Sequence, residues 1–568
     1  HLGLDLIAKT AAGVPLGTPL RPLLAELKPQ GTASELQARW DGPIDAPQHY
    51  QFRGQLRGLR LAAKPDQDPQ EPGRPGVRNA TLVLDATEKG GQAELSMDGG
   101  ALELPGVLAD PVLALDQLAA RLQWRIDTTD GAAATPKITV QARDASFANA
   151  DAQGQFSLDW STGAPQDEAH GGRFPGQIEL NGRLSRAAPQ RVAHYLPLGI
   201  PKDTRDYVAQ ALRGGSVSDA TFRVKGHLRD FPFSDARSAA EGEFRVTAQA
   251  KDLTLAYVPD TPPAAGRPAQ PSPWPAFTQV SGEVVFDRKA MEIRNASARV
   301  FGVALSGVSG GIRDLSERSV LALEGRARGP AGDMLRFVHD SPVGEWLGGG
   351  LAEASASGAA ELKLALALPL YDLDATTVKG SLALAGNDVR LGGGIPTLGA
   401  ADARIDFTQE GFAIADGTAR VLGGEARFEG GLLPDGSMRF TAQGSATAAR
   451  LQRAEELGVL AKMAESMSGR TSYRLALGLV RGHTEFELTS DLTGLALNLP
   501  APLNKAADAA LPLRIATTLE PTQPGSAARD RLRVQLGPVL QAGYLSALDG
   551  GAARVLRGAI GVMEAPPP

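Results

Sequence analysis

The stretch Phe286 to Gly302 (FDRKAMEIRNASARVFG) recurs without a gap as Phe407 to Gly423 (FTQEGFAIADGTARVLG), at a constant offset of 121 residues. Six of the seventeen positions are identical, and Met291/Phe412, Asn295/Asp416, Ser297/Thr418 and Phe301/Leu422 are close substitutions. A chain that reuses one unit buries apolar surface along a line, where neighbour covers neighbour, instead of around a single centre. The repeat therefore outranks the count of about four domains that 568 residues suggest at the usual ~150 residues each.

The pattern inside and around the repeat is that of strands. Leu362, Leu364, Leu366 and Leu368 alternate with other residues, as do Tyr473, Leu475, Leu477 and Leu479, and Leu495, Leu497 and Leu499. A period of two places each set on one face of a strand, with the other face polar or small, as in an antiparallel sheet. Phe156-Leu158-Trp160, Ile178-Leu180, Phe222-Val224, Phe244-Val246, Leu253-Leu255, Ile405-Phe407 and Phe412-Ile414 continue it. Turns such as Gly423-Gly424, Gly430-Gly431 and Asp435-Gly436 follow at short intervals and predict a long meander.

Three stretches have helical spacing instead. Thr204 to Leu212 follows Pro201, with Thr204 in an N-cap position. Ala331 to Leu347 contains a breaker at Ser341-Pro342, and Ala449 to Met467 ends before Gly469. The expected fold is mainly β: repeated antiparallel β-meander units with short intervening helices, whose Leu-, Ala- and Val-rich faces suit an ordinary closed core at least as well as an open groove. Its expected divisions are a strand-rich segment 1–190 and three helix-plus-meander units, 191–329, 330–448 and 449–568. Lys64 to Gly76 and Pro259 to Pro275, rich in proline, read as loop insertions at turns, since the strands on either side look alike.

Composition closes several routes to function. The chain has no cysteine, which removes disulfides, thiolate zinc sites and cysteine nucleophiles. Its 64 acidic and 58 basic residues are mixed along the chain, with no basic tract suited to nucleic acid. Nowhere do 18 apolar residues run together, so no membrane-spanning helix is expected. The start at His1 and the final Pro566-Pro567-Pro568 suggest a piece of a longer protein.

No catalytic constellation stands out. Gly307-Val308-Ser309-Gly310-Gly311 matches the G-x-S-x-G pattern of hydrolase nucleophiles, but that chemistry needs a strand-to-helix elbow with a histidine and an acid in reach, and no helix pattern follows. The seven histidines (His1, His49, His170, His194, His227, His339 and His483) lack metal-ligand spacing, and Asp66, Asp68 and Glu71 lack that of a calcium loop. No enzyme activity, metal or cofactor is expected.

Several segments together resemble the YhdP family of AsmA-like proteins of Gram-negative bacteria. They are Tyr195-Leu196-Pro197, Ile200-Pro201, Thr204-Arg205-Asp206-Tyr207-Val208, Ala211-Leu212, Phe222-Arg223-Val224-Lys225-Gly226 and Phe231-Pro232-Phe233. Ser341-Pro342 with Leu368-Pro369-Leu370, and Ser490-Asp491-Leu492 through Gly494-Leu495 and Leu499-Pro500 to Pro502-Leu503, extend the resemblance over about residues 190 to 515. With the repeat, it implies an elongated, twisted, repeated antiparallel β-groove in a periplasmic protein anchored in the inner membrane, a curled sheet whose apolar groove, and not a closed core, carries phospholipid towards the outer membrane. Its implied partners are phospholipid acyl chains, the two membranes and periplasmic or membrane proteins. The runner-up is an assembly factor for the outer membrane that engages partner strands through sheet edges. A hydrolase using Ser309 is the third alternative.

On the lipid alternative, the candidate groove wall comprises Phe222, Val224, Phe286, Ile293, Leu362, Leu364, Leu366, Leu368, Phe407, Phe412, Ile414, Leu475, Leu477, Leu495, Leu497 and Leu499, with Arg299 and Arg420 facing water. Roughly 30 strands at ~4.8 Å would extend on the order of 140 Å. The helices are expected to pack as lids on local cores, and Arg205 and Asp206 to lie on a solvated helix face in preference to meeting a lipid headgroup.

Overall fold

The computed structural model describes residues 2–6, 26–43, 48–66, 72–127, 135–164, 172–233, 235, 237–263, 268–315, 318–392, 395–432, 436–454, 457, 459–480, 483–520, 529–549 and 552–563. The described chain is mainly β, with 30 strands and a few short helices. It divides into two compact units, His1–Arg299 with Gly307–Leu321, and Val300–Ser306 with Ala322–Pro568.

In the first unit the strands from Gln30–Asp41 to Gln177–Ala187 pair antiparallel, each with the next in sequence. The ladder continues through Ser216–His227, Glu243–Leu255, Phe277–Asp287 and Ala290–Val300. In the second unit the same meander runs from Ala359–Pro369 through Met438–Thr447 and Met467–Val480 to Ala552–Val562. The described strands belong to one 30-stranded sheet, and no ladder joins its first strand to its last, so it does not close into a barrel.

The helical stretches are excursions from this meander. Helix Lys202–Ala211 lies between Gln177–Ala187 and Ser216–His227, which nevertheless pair directly. Helices Ala331–His339 and Val343–Trp346, divided at Ser341-Pro342, likewise lie between the paired strands Val320–Pro330 and Ala359–Pro369. The first helix begins before Thr204: Pro201 holds the N-cap position without a side-chain cap, its ring presetting the backbone. The third stretch is not one helix. Ala448–Leu451 and Val459–Met463 are separate, and the Gln452 side-chain amide donates to the Ala464 carbonyl at 2.7 Å across the interruption. Both proline-rich insertions lie between strands that pair with each other, Lys64 and Gly76 flanking the first and Pro259 and Pro275 the second.

The sequence repeat is a repeat of backbone irregularities. Gln279 and Ala400 have φ of 51° and 43°, Asn295 and Asp416 of 45° and 53°, and Phe301 and Leu422 of 50° and 51°, each pair at the same offset. The register shifts between Thr278 and Ser281 and between Ser281 and Glu283 recur between Gly399 and Asp402 and between Asp402 and Arg404. These are β-bulges, which insert a residue, bend the strand and increase its twist. Asp219 and Asp252 occupy left-handed positions at comparable shifts in the neighbouring strands.

Each bulge also inverts the phase of the apolar pattern. Before Asp416 the apolar face is carried by Phe412 and Ile414, and after it by Gly417, Ala419 and Val421, because one extra residue has turned the odd positions inward. Ile293 followed by Ala296 and Val300 obeys the same rule. A short polar side chain tolerates the left-handed backbone that a β-branched one resists. Asp416→Val should therefore destabilise the protein by about 1–2 kcal/mol while Asp416→Gly is nearly neutral, as read by denaturant unfolding.

Candidate functional site

Register converts alternation into rows that run across the strands. In the second unit one row passes through Leu362, Leu382, Ile405, Ile414, Gly430, Phe440, Leu477 and Phe486, each directly opposite the next. A second passes through Gly417, Phe428, Ala442, Leu475, Leu488, Ile515, Val534, Ala542 and Ile560. The first unit carries the equivalent: Gly54, Leu84, Ala93, Leu122, Ala142, Leu158, Leu180, Val224 and Phe244 stand in one line. Ala145, Phe156, Gly182, Phe222, Val246, Phe286 and Met291 form another.

Most large side chains in these rows are only partly buried. Leu362, Leu382, Ile405, Ile414, Phe440, Leu477 and Phe486 are all of this kind, as are Leu122, Leu158, Leu180, Val224 and Phe244. The same sheet face becomes fully closed towards the bulges and helices. There Ala401, Ala419, Val421 and Ala426 form one buried cluster, and Leu4, Ala33, Leu59, Ala80, Met97, Leu115 and Leu118 another. Small side chains allow the creased strands to approach, while larger ones farther along stay half open. The apolar face thus has a sealed margin and a half-exposed strip.

The opposite face belongs to water. Arg53 pairs with Asp85 at 2.8 Å, Arg143 with Asp159 at 2.6 Å, Arg245 with Asp287 at 3.1 Å and Arg514 with Glu487 at 2.6 Å. Their side chains are substantially exposed, so each pair contributes at most about 1 kcal/mol and chiefly marks this face as hydrated. Hydrogen bonding from Arg143 holds the Asp159 carboxyl below its ordinary range, and the His49 ring with the Tyr50 N–H brings Glu88 down to about 2. A depression of about 550 Å³ in the first unit is bordered by Asp98, Gln117, Ser146, Gln153, Gln155 and Arg183. Met97, Leu118 and Phe147 line it as well, so its wall is mixed polar and apolar.

The expected wall residues fall into two environments. Phe222, Val224, Phe286 and Ile293 are half-buried in the first unit, and Phe407, Phe412, Ile414, Leu475 and Leu477 in the second. Leu362, Leu364 and Leu366 face Leu382, Gly380 and Val378, with half-buried Leu368 just past the ladder. Leu495 and Leu497, by contrast, are 2% and 4% exposed, in a closed cluster with Ala448, Leu492 and Leu536. The strand Leu495–Leu497 pairs with the start of Met467–Val480, and half-buried Leu499 follows it. Arg299 and Arg420 are exposed. Leu382, Phe440, Phe486, Leu488 and Val534 belong to the rows although the sequence alone did not single them out. Their signal is the register, which alternation within one strand does not supply.

The motif residues make closures. Tyr195 donates its hydroxyl to Asp151 at 3.1 Å and accepts from the Asn149 amide at 2.9 Å, holding the turn between two strands. Phe233, 1% exposed, fills the space left by Gly226 and Gly242 and meets Phe231 edge-on. Ser490 donates to the Ser472 carbonyl at 2.7 Å and caps the Leu492 N–H at 3.0 Å. Just past these motif residues, buried Lys505 donates to the carbonyls of Leu495 at 2.6 Å and Ala506 at 2.9 Å; desolvation lowers its pKa. In the first helix Arg205 donates to the Ile200 carbonyl at 3.1 Å and Asp206 pairs with Lys202.

The catalytic and metal alternatives acquire no supporting geometry among the described residues. Ser309 lies inside the strand Val303–Ile312, not at a strand-to-helix elbow, and its hydroxyl accepts the Asn295 N–H at 3.3 Å. Gly307, at φ 59°, is another left-handed strand residue. No three described His, Cys, Asp or Glu side chains converge as metal ligands; Asp68 and Glu71 lie outside the described residues. No described helix is long and apolar enough to cross a membrane.

The family described as YhdP protein matches residues 1–568. The chain belongs to the YhdP family. It is similar to a protein of Escherichia coli (strain K12) described as the intermembrane phospholipid transporter YhdP, with 25% identity over 323 residues. That alignment covers 55% of this chain and 24% of the relative, so the present YhdP-family chain matches about a quarter of that protein's length. No solved structure matches it.

The two environments of this family member's leucines are separable by mutation. Leu497→Ala should lower unfolding free energy by about 2–4 kcal/mol, because it opens a cavity in a closed cluster. Leu477→Ala, on the half-exposed strip, should lose only about 1 kcal/mol in the same denaturant titration.

Proposed function

We propose that the half-exposed apolar rows are a lipid path, and that the protein works without catalysis in intermembrane phospholipid transport across the periplasm. Acyl chains lie along the rows while headgroups remain in water. The carrying observation is the continuity of the rows: successive strands present apolar side chains at directly paired positions without a charged residue in line. Shielding matters because each exposed CH₂ costs about 0.8 kcal/mol, so two acyl chains in water amount to on the order of 20 kcal/mol. Leucine, isoleucine, valine and flat aromatic rings offer contact without a fixed polar partner, which suits a sliding cargo. The relative's description as an intermembrane phospholipid transporter supports the same cargo class.

On this proposal each helix-plus-meander unit lengthens the path, while the closed clusters beneath the excursions seal its margin. Half-buried Phe222, Val224, Phe286, Ile293, Leu362, Leu364, Leu366, Leu368, Phe407, Phe412, Ile414, Leu475 and Leu477 contribute to the wall. Leu495 and Leu497 support it from within their closed cluster. The parent protein is held in the inner membrane and reaches the outer membrane through parts beyond this chain.

Photo-crosslinking side chains placed singly at Ile405, Ile414 and Leu477 should capture phospholipid from Gram-negative cells, and those at exposed Arg404, Arg439 and Thr441 should not. Equal labelling of both faces, or none on the apolar one, would refute the lipid path. Exclusive capture of a partner protein at strand edges would favour an assembly role.

A further inference from the structure

Three glycines in the apolar rows are unexplained by backbone needs. Gly182, Gly380 and Gly417 lie inside strands and have no left-handed φ, so an alanine would fit their backbone. Glycine within a strand costs conformational entropy and removes a packing side chain. Gly386 differs: its φ of 68° requires glycine-like freedom, and a Cβ there would meet nothing within 4 Å.

At the three positions an aromatic ring occupies the place of the missing side chain. Gly182 stands directly opposite Phe222, Gly380 opposite Phe407 and Gly417 opposite Phe428. A Cβ added to any of them would lie less than 3.0 Å from three carbons of the facing ring. For Phe222 and Phe407 these are the far carbons, Cζ and both Cε. Paired strands are ~4.8 Å apart, so a ring whose tip rests over its neighbour leans across the inter-strand gap instead of standing out from the sheet.

We propose that Gly182, Gly380 and Gly417 are clearance residues, which keep the lipid path open by letting Phe222, Phe407 and Phe428 lie against the wall. The proposal rests on the lipid-path function. It adds the property that selects glycine: a ring laid flat projects by its thickness, whereas a ring forced upright projects by its length into the space needed by acyl chains. All three glycines are on the apolar side of the sheet; Gly182 and Gly380 face half-buried rings, whereas Gly417 is buried and Phe428 packs against the Ala401, Ala419, Val421 and Ala426 cluster, which places that pair at the sealed margin of the path. Glycine rescued by a cross-strand aromatic also retains packing on its own strand, so the arrangement need not sacrifice stability.

The experiment measures loading of the chain from vesicles of phosphatidylethanolamine and phosphatidylglycerol, with bound lipid quantified after re-isolation. Gly380→Val should reduce loading several-fold, and Gly380→Val combined with Phe407→Ala should restore it, since the second change removes the displaced ring. Gly380→Ala provides the smaller perturbation should the valine variant not fold, with thermal unfolding run on each protein. Undiminished loading of a folded Gly380 variant overturns the clearance role while leaving the lipid path standing. Reduced loading not restored by Phe407→Ala also overturns it. A wild-type chain that takes up no lipid overturns the lipid path itself and the clearance role with it.

Discussion

Cross-strand register is the constraint on which the remaining features depend. In a pleated sheet, a slip of one residue exchanges the two faces, so a row such as Leu382, Ile405, Ile414 exists only while each ladder keeps its pairing. Each bulge adds a residue to one strand, which alone would break such rows. Instead the apolar sequence changes phase with them, Ile414 giving way to Gly417, Ala419 and Val421 after left-handed Asp416. The backbone irregularity and the sequence irregularity cancel, and the apolar side remains apolar.

That cancellation lets one sheet face serve in two ways. Where creased strands approach, alanine fills the interior, as Ala401 at 0% and Ala419 at 5% exposure demonstrate. Farther along the strands, leucine, isoleucine and phenylalanine stand half exposed. An ordinary β-sandwich would cover such residues with a second sheet. Here the described strands form an open meander in which buried clusters such as Ala401, Ala419, Val421 and Ala426 close parts of the apolar face and leave a half-exposed strip.

Family motifs and the proposed working surface occupy different places. Tyr195, Phe233 and Ser490 tie turns and excursions to strand ends by specific bonds or close packing. Such positions tolerate few alternatives, which makes them recognisable in sequence. The strip asks only for an apolar side chain of moderate size at each paired position. Many residues satisfy that demand, and no short motif records it.

The antiparallel meander, the places where helices interrupt it and the duplicated hairpin are legible in the order of residues, because strand period, glycine turns and an offset repeat are local properties; that the third helical stretch is split is not. Which leucines share a row, and which are sealed, follows from pairing and packing between distant segments. Leu477 and Leu497 carry equivalent alternation, yet one lies half open opposite Phe440 and the other is enclosed with Leu492 and Leu536. Alternation names the face of a strand, but burial depends on what crosses that face, and the covering residues come from distant parts of the chain. The same reason hid the facing glycine and ring pairs: Gly182 and Phe222 are ordinary residues until register places one against the other.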